Sequence, residues 1–181
     1  MRLFLVLSLA ALLSACSPPR IIVLNDPLDA RQHNDLGVAY EGRGEAELAA
    51  REYQQAARLD KSWARPLVNL GNVRAAAGDF SAAEQSYRQA LEREADNSEA
   101  LNNLAWVVLQ SAEPLRALPI AERAVTLAPA EPVFWDTLAD IQTALGRPAA
   151  ARESLNRALG LAGGEDFRKR LLEKRDRLGE P

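Results

Sequence analysis

The 181 residues contain a single cysteine, a single histidine and a single methionine. One cysteine excludes an internal disulfide framework, and one histidine leaves little for metal ligation or acid–base chemistry. Aromatic residues make up only 6% of the chain, while alanine and leucine recur throughout, a balance that suits close-packed helices better than a β-sandwich. Charge of one sign is also missing. Against 22 basic residues stand 25 acidic ones, net −3, which argues against a nucleic-acid binder with its basic stripe. Disorder is disfavoured too, because 48% apolar residues suffice to bury a core. No phosphate loop, dinucleotide fingerprint or metal-ligand cluster appears, and no Ser–His or Cys–His pair can be assembled. Acidic pairs such as Glu45/Glu47 and Glu92/Glu94 read as solvated helix faces. The composition thus points to a non-enzymatic chain without a cofactor.

What is present begins with a single long apolar run. Met1-Arg2 is a positive start, and Leu3 to Leu12 is a stretch of the length of a signal-peptide core, too short to span a bilayer. Leu13-Ser14-Ala15-Cys16 follows and resembles the lipobox of bacterial lipoproteins. That resemblance implies cleavage after residue 15, with Cys16 acylated as the first residue of the mature chain. Two or three buried acyl chains anchor stably where one does not. Ser17 rather than aspartate follows the cysteine, which in the lipoprotein pattern implies sorting to the outer membrane of a Gram-negative source, facing the periplasm. Residues 16–29 then read as an acylated tether carrying a short apolar strip, Ile21-Ile22-Val23-Leu24.

The rest of the chain repeats. Leu36-Gly37, Leu70-Gly71, Leu104-Ala105 and Leu138-Ala139 recur at intervals of thirty-four residues. Alanines follow in the same register at 49, 83, 117 and 151, and again at 56, 90, 124 and 158. Between them lie Tyr53, Tyr87, Ala121 and Leu155, and Gly44, Gly78 and Gly146 mark turns. This pattern resembles the tetratricopeptide repeat, a thirty-four-residue helix–turn–helix unit. A small residue at the eighth position lets the second helix approach the first, and alanines seven apart share one helical face. The resemblance implies an all-α, right-handed α-solenoid of four units, residues 30–63, 64–97, 98–131 and 132–165. Residues 166–181 are left for a capping helix and tail, with Phe167, Leu171, Leu172 and Leu178 inward. Asp26-Pro27 is expected to open the first helix. The third unit lacks the turn glycine and carries Pro114 and Pro119, so its second helix is expected to start late, near Arg116, or to kink.

In this family the first helices line a concave groove that holds an extended peptide or a helix. Carried over position by position, the resemblance selects Arg65, Asn69, Asn72, Asn102, Asn103, Trp106, Asp136 and Asp140 as groove candidates. The asparagines offer both donor and acceptor to a peptide backbone, or else satisfy loops and helix ends. Trp106 is either a groove hot spot or packing between units. His33 reads as a packing residue. Glu99 and Asn103 stand where the carboxylate-clamping members of the family carry basic groups, so an acidic peptide tail is not expected as the ligand. The repeat span is net negative and favours a neutral or basic partner. The resulting expectation is a lipid-anchored adaptor that binds envelope proteins. The alternatives are an accessory subunit of an envelope enzyme such as a peptidase, docked through residues 21–27, and a structural homo-oligomer.

Overall fold

A computed structural model describes residues 26–179; the lipobox cysteine and the apolar strip lie outside them. The described residues form nine α-helices and no strand. In chain order these are α1 (Ala30–Gly42), α2 (Ala46–Leu59), α3 (Arg65–Ala76), α4 (Phe80–Arg93), α5 (Ser98–Gln110), α6 (Pro114–Leu127), α7 (Pro132–Ala144), α8 (Pro148–Leu161) and α9 (Glu165–Arg177). Each helix packs on the next in sequence, and α3 also meets α5, as α5 meets α7. The odd-numbered helices therefore gather on the inner face of an α-solenoid, with the even-numbered ones outside.

Local chemistry sets the helix ends. At α1, Asp29 accepts from the Gln32 amide at 2.9 Å while the Gln32 side chain accepts from the Asp29 amide at 2.8 Å, a reciprocal capping box. The first helix accordingly starts at Ala30, not at Pro27, because this box fixes its first turn. Asp79 and Asn97 cap α4 and α5 through their side chains. Prolines in the first turn open α3, α6, α7 and α8, where the missing amide costs nothing.

The third unit departs from expectation. Its second helix begins at Pro114, not near Arg116, and runs through Pro119 to Leu127, the same fourteen residues as α2, α4 and α8. Pro119 lies close enough to the start that it deprives only the Leu115 carbonyl, on a residue 72% exposed, so water can replace the lost donor. The missing glycine is answered by Ala112, which takes the left-handed conformation (φ 60°) at the register position of Gly44, Gly78 and Gly146 (φ 76°, 79° and 68°). Leu109 and Val108 carbonyls accept from the amides of Ala112 and Glu113, closing the turn.

The core follows the repeated small residues. Alanines 49, 56, 83, 90, 117, 124, 151 and 158 are all fully buried. One apolar cluster runs from α2 to α7, and a second joins Ala139, Ala151, Leu155, Ala158 and Leu159 to Leu171. Phe167, Leu172 and Leu178 pack against that second cluster, so the inward face of α9 is the one its sequence suggests. Leu172 lies thirty-four residues beyond Leu138, which places α9 in the register of a further first helix. The eighth position is then Glu173, exposed to solvent, so no small residue is needed there.

Candidate functional site on the inner face

Inner-face polar residues mostly bond to one another across units. Asn69 donates to Asn34 Oδ1 at 3.0 Å, and Asn103 donates to Asn72 Oδ1 at 2.9 Å. The buried Tyr87 hydroxyl also donates to Asn72 Oδ1, at 2.7 Å, and Asn102 donates to Asn103 Oδ1 at 3.2 Å. Asn102, Asn103 and Asn72 thus form a run of amide donors joined at Asn72 by the tyrosine, while Asn69 and Asn34 form a separate pair. Asn102 Oδ1 is buried with no hydrogen-bond partner among the described residues. The asparagines thus serve neither loops nor helix ends; they knit neighbouring first helices together. Burial pushes the Tyr87 phenol well above its usual range, with the charge of Glu99 adding to the effect.

The charged candidates are paired in the same way. Arg65 meets Glu99 at 2.7 Å, one unit further on. Asp136 and Asp140, both part-exposed, meet Lys174 of α9 at 2.6 and 2.8 Å. Burial, with the neighbouring Asp136 carboxylate adding, holds the Asp140 carboxyl above its usual range despite the lysine. Burial alone would lower Lys174, but its bonds to both carboxylates outweigh that and raise it. The two aspartates are thereby engaged inside the chain. Lys174 was legible in the register, since it stands thirty-four residues beyond Asp140, yet only the packing of α9 reveals the clasp.

Trp106 packs between units and also keeps part of its ring open to the groove. Its ring meets Phe80 edge-on at 5.8 Å and 82°, across the boundary between units. It nevertheless remains 37% exposed. Beside it opens a cavity of about 350 Å³ lined by Asn72, Ala75, Tyr87, Asn102, Val133 and Thr137, among others, with no charged side chain in its wall. Val133 and Thr137 stand at groove positions of the following unit, whereas Phe80 lies on the second helix α4, which the family register does not select. His33 is buried, with Nδ1 at 2.7 Å from Glu52 and Nε2 at 3.4 Å from Asp26. It joins α1 to α2 and to the residues just before α1, in line with a packing role. No group of three potential metal ligands occurs among the described residues.

Family models for tetratricopeptide repeats match residues 68–132 and 133–164, together more than half of the chain. The chain belongs to the tetratricopeptide repeat family. Cellulose synthase operon protein C of Xanthomonas axonopodis pv. citri (strain 306) is 43% identical over 88 residues, which is 45% of this chain but only 6% of that protein. Among solved structures, pilF of Pseudomonas aeruginosa aligns with a TM-score of 0.71 at 24% identity, over 85% of this chain and 75% of that one. MamA of Desulfovibrio magneticus RS-1, from its residue 41 onward, aligns with a TM-score of 0.68 at 22% identity, covering 82% and 92%. These two likenesses establish the solenoid fold alone. Tetratricopeptide proteins are generally non-catalytic scaffolds that bind protein partners, and this chain has that architecture.

Proposed function

We propose that this tetratricopeptide protein is a membrane-anchored adaptor, facing the periplasm, that holds a partner protein for an envelope assembly or cell-wall process. The observation that carries the reading is the neutral inner-face cavity beside the part-exposed Trp106. A tryptophan over an apolar recess is the kind of anchor that dominates protein interfaces. With Asp136, Asp140, Glu99 and Arg65 already paired, the recess at Trp106 has an uncharged wall and suits an apolar side chain of an extended peptide or helix. The lipobox-like Leu13-Ser14-Ala15-Cys16 supports anchoring, and no described helix is long and apolar enough to cross a membrane. The operon named for the Xanthomonas relative supports a role in the cell envelope.

Two experiments test the two halves. Metabolic labelling with a clickable palmitate analogue should mark the wild-type chain and not Cys16→Ala; an unlabelled wild type would remove the anchor. Affinity capture from envelope extract should lose a partner with Trp106→Ala plus Asn103→Ala. Equal retention by that double variant would move the binding surface away from this groove.

A further inference from the structure

A second crevice lies on the outer face, between α2 and α4 and floored by α3. Its cavity of about 280 Å³ is lined by Arg58, Arg74 and Arg93, three glutamines (Gln54, Gln85, Gln89) and apolar side chains, without a single carboxylate. This is unusual in a repeat span with 14 basic and 19 acidic residues.

The repeat itself supplies the control. Thirty-four residues on, the equivalent crevice between α4 and α6 carries Glu92 and Val108 at the positions of Arg58 and Arg74. The next one, between α6 and α8, carries Thr126 and Gln142 there, with Glu122 and Glu153 at the positions of Gln54 and Gln85. Arg93 stands where the other three units have Leu59, Leu127 and Leu161. The first crevice is therefore a local departure from the repeat, not a consequence of it.

The three guanidinium groups bond only to neutral acceptors. Arg93 donates to the carbonyls of Ala57, Asp60 and Trp63 at 2.9–3.0 Å. Arg74 donates through Nη1 to the Ala82 carbonyl and Ser86 Oγ, at 3.1 and 2.7 Å. Arg58 reaches only the amide oxygen of Gln55. None of the three forms an ion pair among the described residues. The one carboxylate that senses Arg93, that of Asp60, is bound to Ser62 and is held below its usual range chiefly by those bonds. Five N–H donors per guanidinium leave the exposed Arg58 and the half-buried Arg74 with bonds to spare, and clustered positive charge without a counter-ion favours a bound anion. Arg93, held by three carbonyls at and just beyond the end of α2, contributes charge and rigidity.

We infer that this crevice binds an oxyanion, a phosphate or carboxylate group, with Arg58 and Arg74 as the direct donors. The site is independent of the inner groove and stands whether or not that groove binds a peptide. The test is a nuclear magnetic resonance titration of the full chain at fixed ionic strength, with inorganic phosphate in one arm and acetate in the other. Saturable shifts confined to the crevice, with Arg58 and Arg74 Nε–H among them, are expected, and the arm that saturates earlier names the preferred group. Arg58→Thr plus Arg74→Gln, which installs the residues of the third crevice, should weaken binding at least tenfold. Arg58→Thr alone, at an exposed position that carries no fold contact beyond Gln55, should weaken it severalfold. The exposed Arg157→Gln, two units away, should leave it unchanged. Absence of saturable shifts in both arms, an unaltered midpoint in Arg58→Thr, or an equal loss in Arg157→Gln would overturn the assignment.

Discussion

In units one and two a glycine lies beneath a buried tyrosine ring; in units three and four the same two positions hold Ala105 with Ala121 and Ala139 with Leu155. A methyl group added at Gly37 would meet the Tyr53 ring at 2.6 Å, and one added at Gly71 would collide with the Tyr87 ring even more closely. Where the second helix carries no ring, alanine is accommodated on the first. The contact thus pairs the smallest residue with the ring and admits a methyl only where the ring is absent. The tyrosines gain more than packing: Tyr53 donates to Glu41 and Tyr87 to Asn72, both at 2.7 Å, so each ring ties its second helix to the inner face. The half of the solenoid built on tyrosine is therefore the half whose packing and groove are mechanically linked.

Tyr87→Ala should break this comparison most severely. It removes a ring that is 2% exposed and one of the two donors to Asn72 Oδ1, at a cost of about 4 kcal/mol in thermal or urea unfolding. A cost below that of Leu155→Ala would contradict the link. Next in size, Gly71→Ala should cost about 2 kcal/mol through overpacking, although alanine is the better helix former. The reverse change in the other half, Ala105→Gly, should cost only about 1 kcal/mol, the helix-propensity difference. Equal costs for the two would dissolve the distinction between the halves. Ala112→Gly should act in the opposite direction and stabilise by about 1 kcal/mol, because a left-handed alanine is replaced by the residue that the other three turns use.

The smallest effect concerns the end of the solenoid. Lys174→Met leaves Asp136 and Asp140 facing each other, and for side chains this exposed the loss is under about 1 kcal/mol. Because the lysine is raised in the folded chain, its contribution is complete below its ordinary 10.5 and disappears as pH climbs through the folded value. Asp140, raised as well, opposes folding once it ionises, so the clasp gains nothing from alkaline pH. The gap between wild type and variant in circular dichroism melts should therefore persist at pH 8 and close in strong alkali. A gap that widens with pH would reverse the sign.

The fold was legible because small residues recur at a fixed interval, and volume complementarity at Gly37 and Gly71 makes that interval physically necessary. The candidate site was legible only as positions. Trp106, Asn72, Asn102 and Asn103 do surround one cavity, since the family register selects inner-face residues regardless of neighbour. What those residues touch was not legible, because Asn103–Asn72 and Lys174–Asp140 depend on how closely successive first helices stack. The start of α6 turns on local position: a proline breaks a helix interior, but Pro114 opens this helix and Pro119 lies near enough to its start to be tolerated.

The central claim, that the inner face around Trp106 is the surface that meets a partner protein, is tested most directly by site-specific photocrosslinking in cells of the source organism. A photoreactive phenylalanine analogue is placed in turn at Val133 on the inner face and at Leu115 on the outer face; both are exposed, at 50% and 72%. The account predicts a discrete crosslinked protein from position 133 that is absent from position 115 and lost when Trp106→Ala is added. A crosslink from position 115 alone, or one from position 133 that survives Trp106→Ala undiminished, would contradict it.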